Sequence, residues 1–463
     1  GEPFLNITLE ENVTKMDEVV VTGMFNKPRE SYTGSVTTIT SKELKMFRGQ
    51  NMIQTLGNID PSFNIVQNNS LGSNPNNLPE VNIRGNSSLP TSLNELEQGV
   101  KAQLNAPLVI MDGFEISLQK LMDFNDEEIE SINLLKDASA TAIYGSRGSN
   151  GVIVVTTKKP EAGKLKLLVR TGLQLEVPDL TSYDLLNAWE KLDLEKRMGF
   201  YDGIRNEEYY NSLYKSVVEG TDTYWLSKPL HLGVGQVYNV RLEGGNQEFR
   251  WSGTVGYKGN TGVMKNSFRN VLDASLTLSY TMKNFLFQNQ LSITNVKSSE
   301  SNYGDFSEYV QMNSYWRPYD ENGQPYKTFP GHPSEGSGDV PNPLYNASLN
   351  TKDESKDLQV INNFSMEWNI LDGLLARAQI GISKNLTRSD EFKPASHTDF
   401  QDLDYTRKGK YVYGIDEGLT IDGNLTLSYA KTLAEKHALY GGLNYSISQS
   451  DSYGHTFTAE GFP

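Results

Sequence analysis

The chain has 463 residues, no cysteine, and 42 Lys+Arg against 57 Asp+Glu, a formal net charge of -15. The missing cysteines exclude disulfides, thiolate metal sites and cysteine nucleophiles, and the acidity argues against nonspecific nucleic-acid binding. A mean hydropathy of -0.50 excludes a bundle of membrane helices, each of which needs about 18 or more consecutive apolar residues, but leaves open a membrane β-barrel, whose strands turn half their residues away from lipid.

In chain order, residues 4–9 read as a strand. MDEVVVTG at residues 16–23 sets three valines after two acids. Such a segment serves either β-augmentation, in which an extended peptide joins a partner's sheet edge, or an ordinary internal strand. Residues 35–40 alternate as a strand, and Ser41 opens a helix carrying Glu43 and Leu44. A second helix covers residues 51–56 and stops at Gly57. Residues 61–79, rich in Asn, Ser, Gly and Pro, read as an exposed loop. Residues 81–84, 108–111 and 151–157 are strands. Residues 126–136 carry Ile129, Ile132 and Leu135 at helical spacing and predict a helix. Residues 24–163 thus form an α/β domain.

Beyond residue 163 the texture changes to long alternation of apolar and polar side chains. Leu272, Ala274, Leu276, Leu278 and Tyr280 alternate with Asp273, Ser275, Thr277 and Ser279. Nine such segments lie near 164–177, 235–245, 247–258, 268–281, 285–297, 358–371, 374–388, 417–431 and 435–449. Each reaches the ~9–11 residues that a tilted strand needs to cross a bilayer. Tight connections at 244–246 and 371–374 contrast with long ones at 178–234, 298–357 and 389–416. One apolar face and alternating loop lengths favour an outer-membrane barrel over a soluble β-sandwich. An odd count of nine suggests a piece of a longer barrel. A helix over residues 182–197 places Leu185, Trp189 and Leu192 on one face.

Three segments carry a family resemblance: VNIRG at 81–85, PLVIMDG at 107–113, and IESINLLKDASATAIYGSRGSNGVIVVTTKK at 129–159. Together they resemble the plug of TonB-dependent outer-membrane transporters. The last is similar to the hallmark of the SusC-like subfamily. Where general plugs show Arg-Gly-Pro, this chain has Lys136, Asp137 and Ala138, and that departure points to the same subfamily. YNVRLEGG at 238–245 resembles the family's early barrel strands.

The resemblance implies a mainly β fold: a transmembrane antiparallel β-barrel of 22 strands in the full protein, about nine of them here, with an α/β plug inside. It implies that residues 1–15 end a carboxypeptidase-regulatory-like extension, 16–23 hold the TonB box, 24–163 the plug, and 164–463 the first part of the barrel with long extracellular loops. Asp17, Glu18, Val19, Val20, Val21 and Thr22 would form the box. Arg84 would lock plug to barrel through wall carboxylates, which suits a bidentate guanidinium.

Substrate contacts would come from the amides Asn68, Asn69, Asn74, Asn76 and Asn77, which match hydroxyls as donors and acceptors, and from Tyr303, Tyr309, Tyr315 and Trp316, whose faces stack on sugar rings. Alternatively these are solvated loop and girdle residues. The implied function is active import of oligosaccharides across the Gram-negative outer membrane. An oligopeptide importer and a non-transporting receptor or adhesin are the alternatives. The implied partners are TonB with its proton-driven motor, a SusD-like surface lipoprotein and outer-membrane lipid, in a dimer of transporter–lid pairs. No cofactor, metal or enzymatic activity is implied. The five histidines lack the HExxH spacing, and no GxxxxGK[ST] loop occurs.

Overall fold

In this computed structural model the described residues are 19–23, 25–28, 34–47, 51–66, 73–83, 105–331, 338–433 and 437–462. The first elements are the short antiparallel pair β1 (Val19–Val21) and β2 (Asn26–Pro28). A five-stranded sheet follows, built from β3 (Val36–Thr40), β6 (Leu108–Met111), β7 (Phe114–Ile116), β8 (Ile129–Leu135) and β9 (Val152–Thr157) in the order β3-β8-β9-β6-β7. Only β6 and β9 run parallel. Between β3 and β6, β4 (Asn64–Val66) pairs with β5 (Glu80–Asn82).

Period-two alternation explains why this sheet is buried on both sides. In β9, Ile153 and Val155 join Ile39, Leu56 and Leu121 on one face, while Val152 and Val154 join Leu108, Ile110 and Tyr144 on the other. The first face is covered by helices Ser41–Met46, Met52–Ile59 and Leu118–Asp123. Each has a side-chain N-cap, from Thr40, Asn51 and Ser117, which satisfies a backbone donor that the helix leaves orphaned. At Thr40 the capping box with Glu43 is complete.

Three sequence expectations are corrected here. The predicted helix at 126–136 is a single 3-10 turn, Asp126–Glu128, followed by β8. Ile129, Ile132, Leu134 and Leu135 are all fully buried, so a strand covered on both faces imitates helical spacing. The second helix runs through Gly57 to Ile59. A Cβ there would lie 2.7 Å from Ile65 Cδ1, so this glycine serves close approach of helix and β4, not helix termination. Part of the loop predicted at 61–79 is structured: Phe63 is buried, and Ile65 pairs with Val81.

The second body is a nine-stranded antiparallel sheet. Its strands are β10 (Gly163–Glu176), β11 (Gly233–Gly245), β12 (Phe249–Thr261), β13 (Phe268–Met282) and β14 (Phe285–Ser299). After the small loop pair β15 (Thr328–Phe329) and β16 (Val340–Pro341) come β17 (Lys352–Leu371), β18 (Leu374–Lys393), β19 (Lys410–Leu433) and β20 (His437–Glu460). All nine predicted strand segments are present. Each of the nine pairs with its sequence neighbours, and the sheet is open, with β10 and β20 at its edges. Connections alternate strictly. Two- and three-residue turns join β11–β12, β13–β14 and β17–β18, while residues 177–232, 262–267, 300–351 and 394–409 lie on the other side.

The polarity of this sheet is inverted relative to a soluble one. On β19, Leu425 and Leu427 are 57% and 39% exposed, while Thr426 between them is 5% exposed. On β13, Leu272 faces out, whereas Val271 and Ser279 are buried. The concave polar side receives the α/β domain. At the short-turn rim of the outer face Phe285 stacks on Trp368 with centroids 5.5 Å apart, and Tyr280 on Phe287 at 6.5 Å.

The long loops have a hydrophobic core of their own. Helices Ala188–Arg197 and Ile204–Val218 pack with Trp225, Leu226, Phe306 and Phe329. The helix predicted over 182–197 begins only at Ala188, because the Asn187 side chain caps it through a box with Glu190. Leu185 precedes the helix, and Trp189 is exposed, so Leu192 alone of the predicted face is buried.

Candidate functional site

Function here rests on how the α/β domain is seated and on what lies at its two ends. The seat is the segment from Leu118 to Glu128. Asp123 accepts a bidentate pair from Arg269 of β13, Nε to Oδ1 at 2.8 Å and Nη2 to Oδ2 at 2.6 Å. Both side chains are about nine-tenths buried. Fork-to-carboxylate geometry is the form in which a buried ion pair best repays its desolvation. Arg170 of β10 pairs with Asp126 and lies 3.4 Å from Glu127. Lys120 donates to Thr294 of β14. Ser275 of β13 donates to Glu128 at 2.8 Å.

Burial lowers the Lys120 ammonium from its ordinary value, against the pull of Asp123, Asp273 and Glu128. Burial raises the Glu128 carboxyl to about 7, with Asp273 adding to the rise and Ser275, Arg241 and Lys120 opposing it. Glu128 is therefore poised to change charge near neutral pH.

The short-turn end holds β1. The Tyr144 hydroxyl donates to the Thr22 carbonyl, and Thr22 Oγ1 donates to Phe25 O at 2.9 Å. Phe25 meets Tyr440 of β20 edge-on at 6.1 Å, and its ring occupies the space a Cβ at Gly442 would need. Next to this end a gap of about 420 Å³ separates the domain from the wall, lined among others by Gly23, Asp112, Gln290, Asn363, Arg377 and Gln379. Asp112 and Gly113, both at positive φ, form the two-residue turn between β6 and β7. Gln379 of β18 donates to Asp112 O at 3.0 Å.

Two cavities open at the long-loop end. One, of about 400 Å³, lies between the domain and the wall, with Gln54, Ser73, Gln174, Asn260, Lys258 and Arg269 in its lining. The other, of about 560 Å³, is framed by the loops and the outer ends of β17 and β18. It presents five carboxylates, Glu300, Asp305, Glu308, Asp353 and Asp399, against two lysines, Lys352 and Lys393. Both lysines are already paired, Lys352 with Asp390 and Lys393 with Asp399. Burial, with Asp305 and Asp399 nearby, raises Glu308 above the ordinary carboxylate range.

The sequence-predicted residues divide as follows. Of the proposed box, β1 covers Val19, Val20 and Val21, and Thr22 is buried; Asp17 and Glu18 lie outside the described residues, as do Arg84, Asn68 and Asn69. Asn74 and Asn76 sit at the long-loop end, where their amides staple the domain to the wall: Asn74 Nδ2 donates to Glu300 Oε2 at 2.5 Å and Asn76 Nδ2 to Ser299 O at 2.8 Å. Asn77 closes that turn through its backbone N–H to Asn74 O at 3.3 Å. Tyr309, Tyr315 and Trp316 are 1%, 4% and 7% exposed and build the loop core, so their ring faces are covered by protein, contrary to the expectation of open stacking platforms. Tyr303 packs partly buried on that core and lines the acidic cavity.

Sequence reasoning missed the seat. Its polarity is the reverse of the one expected for Arg84, with arginines on the wall and carboxylates on the domain. The acidic run DFNDEE at 123–128 facing Arg170 and Arg269 on polar strand positions was the available signal.

The TonB-dependent Receptor Plug Domain family model matches residues 28–152. The chain is 29% identical over 283 residues to the TonB-dependent receptor SusC of Bacteroides thetaiotaomicron, covering 59% of this chain and 26% of that protein. It is 25% identical to the TonB-dependent receptor P3 of Formosa agariphila over 97% of this chain and 41% of that one. Among solved structures, the RagAB peptide importer in its closed-closed state superposes with a TM-score of 0.72 at 20% identity, over 93% of this chain and 49% of that one. The chain thus spans less than half the length of these relatives.

Proposed function

We propose that this chain, which belongs to the SusC-like TonB-dependent receptors, works in energy-coupled import of an oligosaccharide across the Gram-negative outer membrane. Residues 24–163 act as the plug and residues 164–463 as the first part of the barrel wall. The observation that carries the reading is the polarity of the assembly. The strand β1 lies at the short-turn end, the cavities open at the long-loop end, and the plug sits between them on polar contacts.

TonB adds a strand to the box, residues 17–22, and pulls. One edge of β1 pairs with β2, and no strand occupies the other among the described residues. The pull is transmitted through Thr22 to Tyr144 and so to the plug sheet. Arg84, by resemblance, adds a second tie between plug and wall. A SusD-like lipoprotein covers the long-loop side, and two such pairs form the dimer. The amide-rich 400 Å³ cavity supports the oligosaccharide, since Gln and Asn offer both donors and acceptors to hydroxyls. The acidic 560 Å³ cavity favours a second reading, an oligopeptide, because five carboxylates against two lysines leave a negative surplus that suits amines. RagAB, with the same fold, is a peptide importer.

Calorimetry on the full-length protein with its lipoprotein separates these readings, using neutral oligosaccharides against oligopeptides. Saturable heat with a neutral oligosaccharide and none with peptides is the expected result. Binding of peptides alone replaces the substrate while keeping the transporter. Binding of neither class, with no lipoprotein co-purifying, favours a receptor or adhesin.

A further inference from the structure

Against the nine wall strands of this chain the plug is held unequally from one end of the sheet to the other. Toward β10, β12, β13 and β14 the contacts are ionic or charge-assisted: Arg170 with Asp126, Arg269 with Asp123, Lys258 Nζ to Met122 O at 3.5 Å, and Lys120 with Thr294. Toward β17, β18 and β19 the hydrogen bonds and packing contacts are neutral, and Arg377, ion-paired with Glu367 on the wall, acts on Asp112 only through space. Gln379 donates to Asp112 O, Asn424 Nδ2 reaches Gly113 O at 3.5 Å, and the Phe114 ring lies against Gly381. The remainder of that side is the 420 Å³ gap.

The pulling point lies on the weak side. Gly23 lines the gap, and its backbone rests on β6 and β9: a Cβ there would collide with the Tyr144 hydroxyl and meet Ile110 Cγ2 at 3.1 Å and Val154 Cγ1 at 3.5 Å. The hydrophobic cluster beneath it, Leu108, Ile110, Leu135, Ala140, Tyr144, Val152 and Val154, is the smaller of the two in the plug. Charge-assisted bonds are roughly twice as strong as neutral ones. Load applied at Thr22 therefore reaches the neutral contacts before it overcomes the ionic seat.

We infer that the segment from Leu118 to Glu128 stays fixed to the wall during transport, and that the substrate passes between the β6–β7 edge of the plug and strands β14, β17 and β18. The route is lined by Gln288, Gln290, Asn363, Ser365, Arg377 and Gln379, polar side chains that make weak, exchangeable contacts with a hydrophilic oligomer. This inference rests on the transport reading and deepens it.

These 463 residues contain no cysteine, so a crosslinking test needs only the cysteines elsewhere in the full-length protein replaced by serine. In the full-length protein with its lipoprotein, Phe114→Cys with Gln379→Cys spans the weak side, and Asp126→Cys with Arg170→Cys replaces the seat ion pair. A short bis-methanethiosulfonate reagent joins each pair and dithiothreitol releases it. Import by cells is measured before joining, after joining and after release. The expected result is that joining Phe114→Cys to Gln379→Cys stops import, that release restores it, and that joining the seat pair leaves import unchanged. Arrest by the seat crosslink, or import that continues past the weak-side crosslink, overturns the inference. If the first pair does not assemble, Phe114→Cys with Asn363→Cys crosses the same gap from the β6–β7 edge and gives the same two outcomes. Transport absent before any reagent is added, in protein that folds and reaches the membrane, overturns the transport reading itself.

Discussion

At the scale of single residues, the seat of the plug is where charge decides. Glu128 holds its proton up to about pH 7 in the folded protein, against a usual value of 4.5. A carboxyl raised by folding contributes stability that is full below about pH 4.5 and is lost as pH rises through about 7. The shift corresponds to about 3 kcal/mol at most. Hydrogen-exchange protection along β8 in the full-length protein, corrected for the intrinsic pH dependence of exchange, is thus predicted to be greater at pH 5 than at pH 8. Glu128→Gln, which keeps the shape without the titration, removes most of that difference; an unchanged pH profile would assign the effect to another group. Tyr144 is the other informative residue. Tyr144→Phe removes the hydrogen bond to Thr22 and is expected to slow import while leaving substrate affinity intact, measured as uptake and calorimetry on the same variant.

Some of this was legible in the sequence. Asp112 and Gly113 form an Asp-Gly pair, a turn-forming dipeptide, and in the structure both take positive φ between β6 and β7. The aromatics Tyr309, Tyr315 and Trp316 were not legible as core residues. A long polar loop gives no sign in one dimension that it folds around its own interior.

Elements show the same division. All nine strands of the large sheet were readable because a strand with one apolar face writes its period directly into the chain. The plug strand β8 was not, since burial on both faces erases alternation and leaves Ile129, Ile132 and Leu135 at a deceptive spacing. The helix Ile204–Val218 went unread, as its sequence mixes tyrosines and charges without a clean stripe. The outward face of β19 and β20 gives a prediction for this scale. Leu425→Arg, on the apolar face, is expected to destabilise the membrane-inserted protein by ~2–4 kcal/mol if it lies near the bilayer midplane. Ser446→Arg, on the inward row paired with Asn424, is expected to be tolerated. Folded protein recovered from outer membranes reports both, and equal losses would argue for a soluble sheet.

For the whole molecule, strand length and register carry the topography. β10 to β14 have 13–15 residues, whereas β17 to β20 have 20–24. Along the hydrogen-bond ladder the long-loop ends stay nearly level, with Ser299 opposite Glu354 and Lys393 opposite Lys410, while the longer strands run on past their neighbours at the short-turn ends through residues 369–371 and 430–433. The Lys352–Asp390 ion pair stands at the long-loop ends of β17 and β18. This wall and the loop core together frame the acidic cavity at one end, while β1 lies at the other.

Energy coupling through β1 is the central claim, and one uptake measurement tests it most directly. Cells carrying the full-length protein and the proposed lipoprotein partner are given a labelled oligomer that calorimetry shows to bind, with Val20→Pro compared against the unaltered chain. Proline removes the backbone donor on which strand addition depends. The account predicts unchanged surface binding and loss of uptake. Uptake that persists in the variant, at equal surface levels, would contradict it.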